Sequence, residues 1–152
     1  MTGWTELPRM LLNLGVAFAL GIPIGLERGG PKYRPELRTY PLLAMGACAY
    51  IDIGQFVFHN NTEAQARVFQ GLISGIGFIG AGAIIKRRAE LHGLATAVSL
   101  WVTVSIGIAA AYQLFVLGIV LSGATLGALR LLKPLIWHAE ESEHGTRQDK
   151  SG

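Results

Sequence analysis

The sequence predicts an all-α membrane protein: a five-helix transmembrane bundle with its N-terminus outside and its C-terminus inside. Three observations carry this. Half of the 152 residues are hydrophobic (51%) and only 15% are charged, with mean hydropathy +0.40. The apolar residues fall into long uncharged runs of spanning length. One of these, residues 71–85, reads GLISGIGFIGAGAII, with five glycines in fifteen residues. In water, each interior glycine would weaken a helix by about 1 kcal/mol against alanine. In a bilayer the backbone has no water to bond, so the helix persists and bare glycine becomes a surface for another helix.

The runs follow in order. Met10–Leu26 has seventeen uncharged residues; no cleavage site follows it, so it reads as a retained helix. Thr39–Phe58 has twenty residues interrupted only by Asp52, and Val68–Ile85 has eighteen. Leu94–Leu129 has thirty-six uncharged residues, which as one helix would be about 54 Å long against a hydrocarbon core of about 30 Å. That run must fold back, and Ala110-Ala111-Tyr112-Gln113 is the expected reversal. The predicted spans are about 9–27, 39–58, 68–85, 93–111 and 113–132, within a transmembrane domain of 1–137. Residues 138–152 are polar and expected to form a disordered cytoplasmic tail.

Charge orients the chain. Arg28, Lys32, Arg34, Arg38, Lys86, Arg87, Arg88, Arg130 and Lys133 fall on one side, and Arg9 and Arg67 on the other. Nine against two makes the first side cytoplasmic. The net charge of +3 therefore reads as a topology signal rather than a nucleic-acid footprint, and no nucleic-acid partner is expected. Trp4, Tyr33, Tyr112 and Trp137 lie near span ends, where amphipathic rings favour the interface. Cys48 has no partner for an internal disulfide.

Small residues supply the packing candidates. At helical spacing Gly71, Gly75 and Gly82 share a face of the third span with Ser74 and Ala81, while Gly77 and Gly80 complete the run. Thr96, Ser99, Thr103 and Gly107 form a stripe on the fourth span, with Trp101 opposite. Gly123 and Gly127 repeat the small-xxx-small spacing on the fifth. Such faces most often serve helix packing; a polar ion path is the sharper alternative. Gly75-x-Gly77-x-x-Gly80 also matches the dinucleotide fingerprint, but no strand–helix unit surrounds it and no cofactor is expected.

Charged candidates lie at the span ends. Glu27 and Arg28 close the first span, and Arg38 and Thr39 open the second, so Glu27 could pair with Arg38 across the connection. Glu27 is also the one weak candidate for a metal ligand. Asp52 lies near the outer end of its span and reads as a surface aspartate; Asn13 and Gln70 read as bonding to neighbouring helices. The four histidines share no ligand spacing and no nucleophile–base arrangement is present, so no enzyme is expected.

Several of these residues recur together in one family. Ile24-Gly-Leu-Glu27-Arg28, Leu37-Arg38-Thr39, Gly46-Ala47, Arg67 ahead of Ser74-Gly-Ile-Gly-Phe-Ile-Gly-Ala-Gly82, and Gly93-Leu-x-Thr96-Ala-x-Ser99-Leu-Trp101 resemble the MgtC/SapB family of bacterial membrane proteins along nearly all of the membrane part. The resemblance implies a bacterial inner-membrane protein. Its known relatives support growth at low magnesium and survival within host cells; some are linked to restraint of the ATP synthase, and older descriptions make them accessory to magnesium transport. It also marks Glu27, Arg28, Arg38, Thr39, Arg67, Ser74, Thr96 and Ser99 as the motif positions. Three departures stand out. The soluble C-terminal domain of many relatives is expected to have no counterpart here, the slot after Gly93-Leu94 holds Ala95 where Asn or Thr is frequent, and Gly71 replaces a family glutamine, with Gln70 one place earlier. The expected function is binding to other membrane proteins, and possible self-association, in adaptation to low magnesium or envelope stress. The alternative is an ion transporter or channel component.

Overall fold

A computed structural model describes residues 5–29, 35–59, 61–87 and 90–148. It contains five helices, α1 (Leu7–Arg28), α2 (Pro35–Val57), α3 (Thr62–Ala83), α4 (Leu94–Ala111) and α5 (Phe115–Gln148), and a short antiparallel hairpin between α3 and α4, β1 (Ile85–Arg87) and β2 (Glu90–His92). Trp4, Lys32, Tyr33, Arg34 and Arg88 lie outside the described residues, as do the side chains of Lys86, Arg87, Lys133 and Trp137. Among the described residues α1, α3 and α4 are long and apolar enough to cross a membrane; the apolar part of α5, Phe115–Leu131, is shorter.

The helix ends follow from local chemistry. Pro8 stands in the first turn of α1, where its missing N–H costs nothing. Asn61 caps α3 by accepting from the backbone N–H of Ala64 at 2.9 Å, with Glu63 in the first turn favoured by the helix dipole. That cap starts α3 six residues before the apolar run from Val68 that the sequence predicts. The reversal between α4 and α5 falls where expected. Leu114 N–H bonds Ala109 carbonyl and Gln113 N–H bonds Ala110 carbonyl, with Gln113 at φ 59°. This is a Schellman closure in which Gln holds the left-handed position usually given to Gly.

Two elements differ from the sequence reading. The hairpin, paired Ile85↔His92, Lys86↔Leu91 and Arg87↔Glu90, occupies a connection that hydropathy shows only as a basic gap. In addition, α5 continues to Gln148, so residues 138–148 extend a helix where a disordered tail was expected. Ala139, Glu140, Glu141 and Glu143 are good helix formers, and propagating an existing helix avoids the nucleation cost.

The core lies between α1, α2 and α4. Asn13, Ala17, Gly21, Ile24 and Gly25 form the buried stripe of α1, at the spacing of one helix face. It meets Tyr40, Ala44, Ala47, Cys48 and Ile51 of α2 and Leu100, Val104, Ile106 and Ala110 of α4. Helix α5 packs on α4 and α1, where Ser122 Oγ donates to the Leu20 carbonyl at 2.9 Å. Helix α3 packs on α4 and, less, on α2.

Helix backbones cross in close contact at two glycines. A Cβ at Gly21 would lie 2.8 Å from Pro41 Cα, and one at Gly107 would overlap the Ala44 carbonyl. The stripe predicted on α4 is therefore a packing face: Ser99, Thr103 and Gly107 are all buried. The hydroxyls of Ser99 and Thr103 do not bond across the contact, however. Ser99 bonds the Ala95 carbonyl at 2.5 Å and Thr103 the Ser99 carbonyl at 2.7 Å, each one turn back on its own helix.

The glycines of α3 behave otherwise. At Gly75, Gly77 and Gly82, as at Gly123 and Gly127 of α5, an added Cβ would meet nothing within 4 Å, and at Gly71 only the Tyr50 hydroxyl at 3.9 Å. Gly80 packs closest, with the Trp101 ring 3.6 Å away. Within one chain these residues, Gly80 excepted, are not the helix contacts the sequence predicted. The reason is that α3 turns Ile76 and Gly80 inward, while Gly71 and Gly75 are exposed along an open groove of about 390 Å³ beside α2 and Gly82 is exposed beyond it.

Candidate functional site: a polar cluster at each end of the bundle

At one end, the last turn of α1 meets the start of α4 and the middle of α5. Arg28 donates to the Thr96 hydroxyl, and Arg130 Nε donates to Glu27 at 2.8 Å. Between the helices opens a groove of about 660 Å³, with Glu27, Arg28, Ala95 and Ser99 at its polar side and Val98, Leu121 and Leu129 among its apolar walls. Four of the motif residues, Glu27, Arg28, Thr96 and Ser99, are thus brought together, and Ala95 lies beside them. With Ala there, the slot offers the groove a methyl group and no hydrogen bond.

Gly93 builds this end. At φ 89° it starts α4 in the left-handed region, and a Cβ there would overlap the Ala83 carbonyl at the end of α3. A residue with a side chain meets both a conformational and a steric penalty.

The remaining motif residues do not join the groove. Arg38 and Thr39 are exposed at the start of α2, and Glu27 pairs with Arg130 instead of the predicted Arg38, because the last turn of α1 faces α5. Ser74 is exposed on α3. Arg67 pairs with Glu63 one turn away at 2.6 Å, at the other end of the bundle. As a metal ligand Glu27 fits poorly, since its carboxylate is held by a guanidinium; among the described residues no group of three His, Cys, Asp or Glu could hold a metal ion.

The other end carries a cluster the sequence reading misplaced. Asp52 is not a surface aspartate: it is 2% exposed. Asn13 Nδ2 donates to its two carboxylate oxygens at 3.2 and 3.3 Å and lies 3.4 Å from the Ala111 carbonyl at the end of α4. Cys48 Sγ, one turn back on α2, is 3.7 Å from Oδ2. Asn13 bonds to a neighbouring helix as expected, and its partner is the residue that was set aside. The signal was present: Asn13 is the fourth residue of the first run and Asp52 the seventh from the end of the second, so both lie in the same end of two antiparallel neighbours. One turn beyond lies a second cavity of about 780 Å³, lined by Glu6, Arg9, Gln55, His59, Gln65 and Tyr112.

Comparison with known proteins places the chain. Residues 14–137 match the MgtC family. An uncharacterised protein of Synechocystis sp. is 35% identical over 129 residues, covering 85% of this chain and 50% of its own length. Protein MgtC of Brucella abortus is 33% identical over 133 residues (88% of this chain, 55% of the relative). Protein MgtC of Salmonella typhimurium is 37% identical over 98 residues (64% and 41%). The chain spans about half the length of the curated relatives it matches. No solved structure matches it. With most of its helical region inside the family match, and relatives at this identity aligned along most of its length, the protein belongs to the MgtC family.

Proposed function

We propose that this protein is a multi-pass inner-membrane protein, with its N-terminus outside and its C-terminus inside, that binds other membrane proteins in adaptation to low magnesium or envelope stress. The observation that carries this reading is the outward face of α3. Gly71, Gly75 and Gly82 present bare backbone with little or nothing against it, beside Phe78, which is 84% exposed. Small-residue faces let transmembrane helices approach closely, and dispersion then accumulates along the contact. A photocrosslinking residue in place of Phe78, in cells grown at low magnesium, is expected to yield discrete protein adducts that Gly75→Leu abolishes. Crosslinks to lipid alone would overturn the reading.

Transport is the second reading, favoured by Asp52, since ionisable residues within membrane segments mark ion pathways. Magnesium itself requires octahedral oxygen coordination and dehydrates reluctantly. Protein-dependent uptake in liposomes loaded with a magnesium-sensitive dye would establish transport and remove partner binding as the sole function. Absence of uptake together with adducts at Phe78 is the expected result.

A further inference from the structure

We infer that Asp52, held between Asn13 and Cys48, is a proton-binding site served by the polar cavity at the Arg9 end of the bundle. A proton given up by a hydronium ion in the cavity reaches the carboxylate, leaving water and a neutral carboxylic acid, and the reverse step returns it by the same route. The inference depends on neither reading of function above.

The first argument is charge. Asp52 lies in a helix packed between α1 and α4, and its hydrogen-bond partners, an amide and a thiol, are neutral. The Ala111 carbonyl beside Asn13 ends α4, and a helix C-terminus carries partial negative charge, which disfavours an anion there and favours a cation. Half-helix C-terminal ends serve H⁺ and Na⁺ in this way in transporters. Arg9, the cation that acts on Asp52, is itself paired with Glu6 at 2.9 Å; a buried charge so weakly compensated is costly, and a bound proton removes that cost.

The second argument is hydrogen-bond arithmetic. Three acceptor oxygens face Asn13 Nδ2: two of Asp52 and one of Ala111. The donors facing them are one amide and one weak thiol. Asn13 Oδ1 is buried and has no partner. An ionised carboxylate offers about four lone-pair sites, which two N–H groups shared with Ala111 and a weak thiol leave incompletely satisfied; a proton on Asp52 lowers that demand.

The third argument is space and access. Asn13 and Cys48 are fully buried and Asp52 nearly so, and neither Asn13 nor Asp52 lines the nearby cavity. A metal ion needs a ligand-lined void, whereas a proton needs none. The route is short. Gln55 lines the cavity from the next turn of α2 beyond Asp52, with its Nε2 buried and unpartnered. Arg9 lies one turn before Asn13, and Tyr112 follows Ala111. The charged and titratable groups on this side are Glu6 and Arg9 of α1, paired at 2.9 Å, Cys48 of α2 with His59 beyond its end, and Tyr112 at the end of α4. From α3 the cavity receives only the neutral Gln65, the Glu63–Arg67 pair being exposed.

Infrared difference spectroscopy on the full chain in lipid nanodiscs tests the site. The carbonyl stretch of a buried carboxylic acid is expected to appear and disappear reversibly as bulk pH moves across about 4 to 9, the range in which buried carboxyls titrate. It should shift in D₂O and be lost in Asp52→Asn. Cys48→Ala, which keeps the carboxyl and removes only the thiol, should move the band without removing it, so the result does not depend on Asp52→Asn folding. Glu63→Gln should change nothing. The proposal is overturned if no band responds to Cys48→Ala or Asp52→Asn at any pH, if the band never titrates, or if sodium in place of choline abolishes it at constant pH.

Discussion

Arg130 of α5 donates to Glu27 of α1 at 2.8 Å, joining residues 103 positions apart. This pair, and not one across the first connection, closes the end of the bundle that carries the family motifs. Arg130 is 67% exposed and Glu27 16%, so solvent screens the interaction and its worth is about 0.2–1 kcal/mol. Glu27→Gln and Arg130→Gln should each lower the unfolding temperature in detergent slightly, and Glu27→Arg with Arg130→Glu should recover part of the loss. A double-mutant cycle reads the coupling. Coupling of Glu27 to Arg38 in place of Arg130 would contradict this geometry.

Arg28 depends on Thr96, and its Nε is already buried without a partner. Thr96→Val removes the hydroxyl while keeping the shape, leaving more of the guanidinium unsatisfied, which should cost about 1–3 kcal/mol. Thr96→Ser should retain most of the stability. Equal unfolding temperatures for Thr96→Val and wild type would show that the bond contributes nothing.

Gly107 and Gly75 separate contacts within the chain from contacts beyond it. Gly107→Ala drives a methyl into the Ala44 carbonyl and should destabilise the purified monomer by about 1–3 kcal/mol, as overpacking does. Gly75→Ala meets open space and should leave the monomer's melting unchanged. Equal effects of the two would remove the distinction between the α4 and α3 faces.

Gly93→Ala adds a Cβ at φ 89° and against the Ala83 carbonyl. The left-handed backbone alone costs a non-glycine residue about 1–2 kcal/mol. Gly93→Asn, which tolerates that backbone better, should be impaired too, because space fails as well as torsion. Wild-type stability in Gly93→Asn would show that torsion alone matters.

The proposed orientation is checked by thiol labelling. His59→Cys should react with a membrane-impermeant reagent in intact cells, and Ser142→Cys only after permeabilisation. Equal labelling of the two in intact cells would overturn an N-out, C-in chain.

Hydropathy located the helices because burial in lipid or core demands uncharged runs: α4 was expected at 93–111 and spans Leu94–Ala111. It failed at the polar first turn of α3 and at the hairpin, where capping and turn chemistry decide. Glycine spacing identified small faces but not which way they point. Thr103 and Gly107 turned inward while Gly71, Gly75 and Gly82 turned outward, and only the neighbours of α3 could decide that. Asp52 was misread because its depth was judged along α2 alone. Its setting comes from α1 and α4 closing over it, information held in the pairing of helices rather than in any one of them.

The light packing of α3 has a consequence for biogenesis. In the proposed multi-pass arrangement, a chain delivered to the bilayer from its N-terminus releases α1, α2 and α3 before α4. The extensive contact partners of α2 are α1 and α4, and α3 rests chiefly on α4. The order of synthesis is therefore not the order of assembly. On that proposal the third helix has only its lighter contact with α2 to settle against until the fourth is in place.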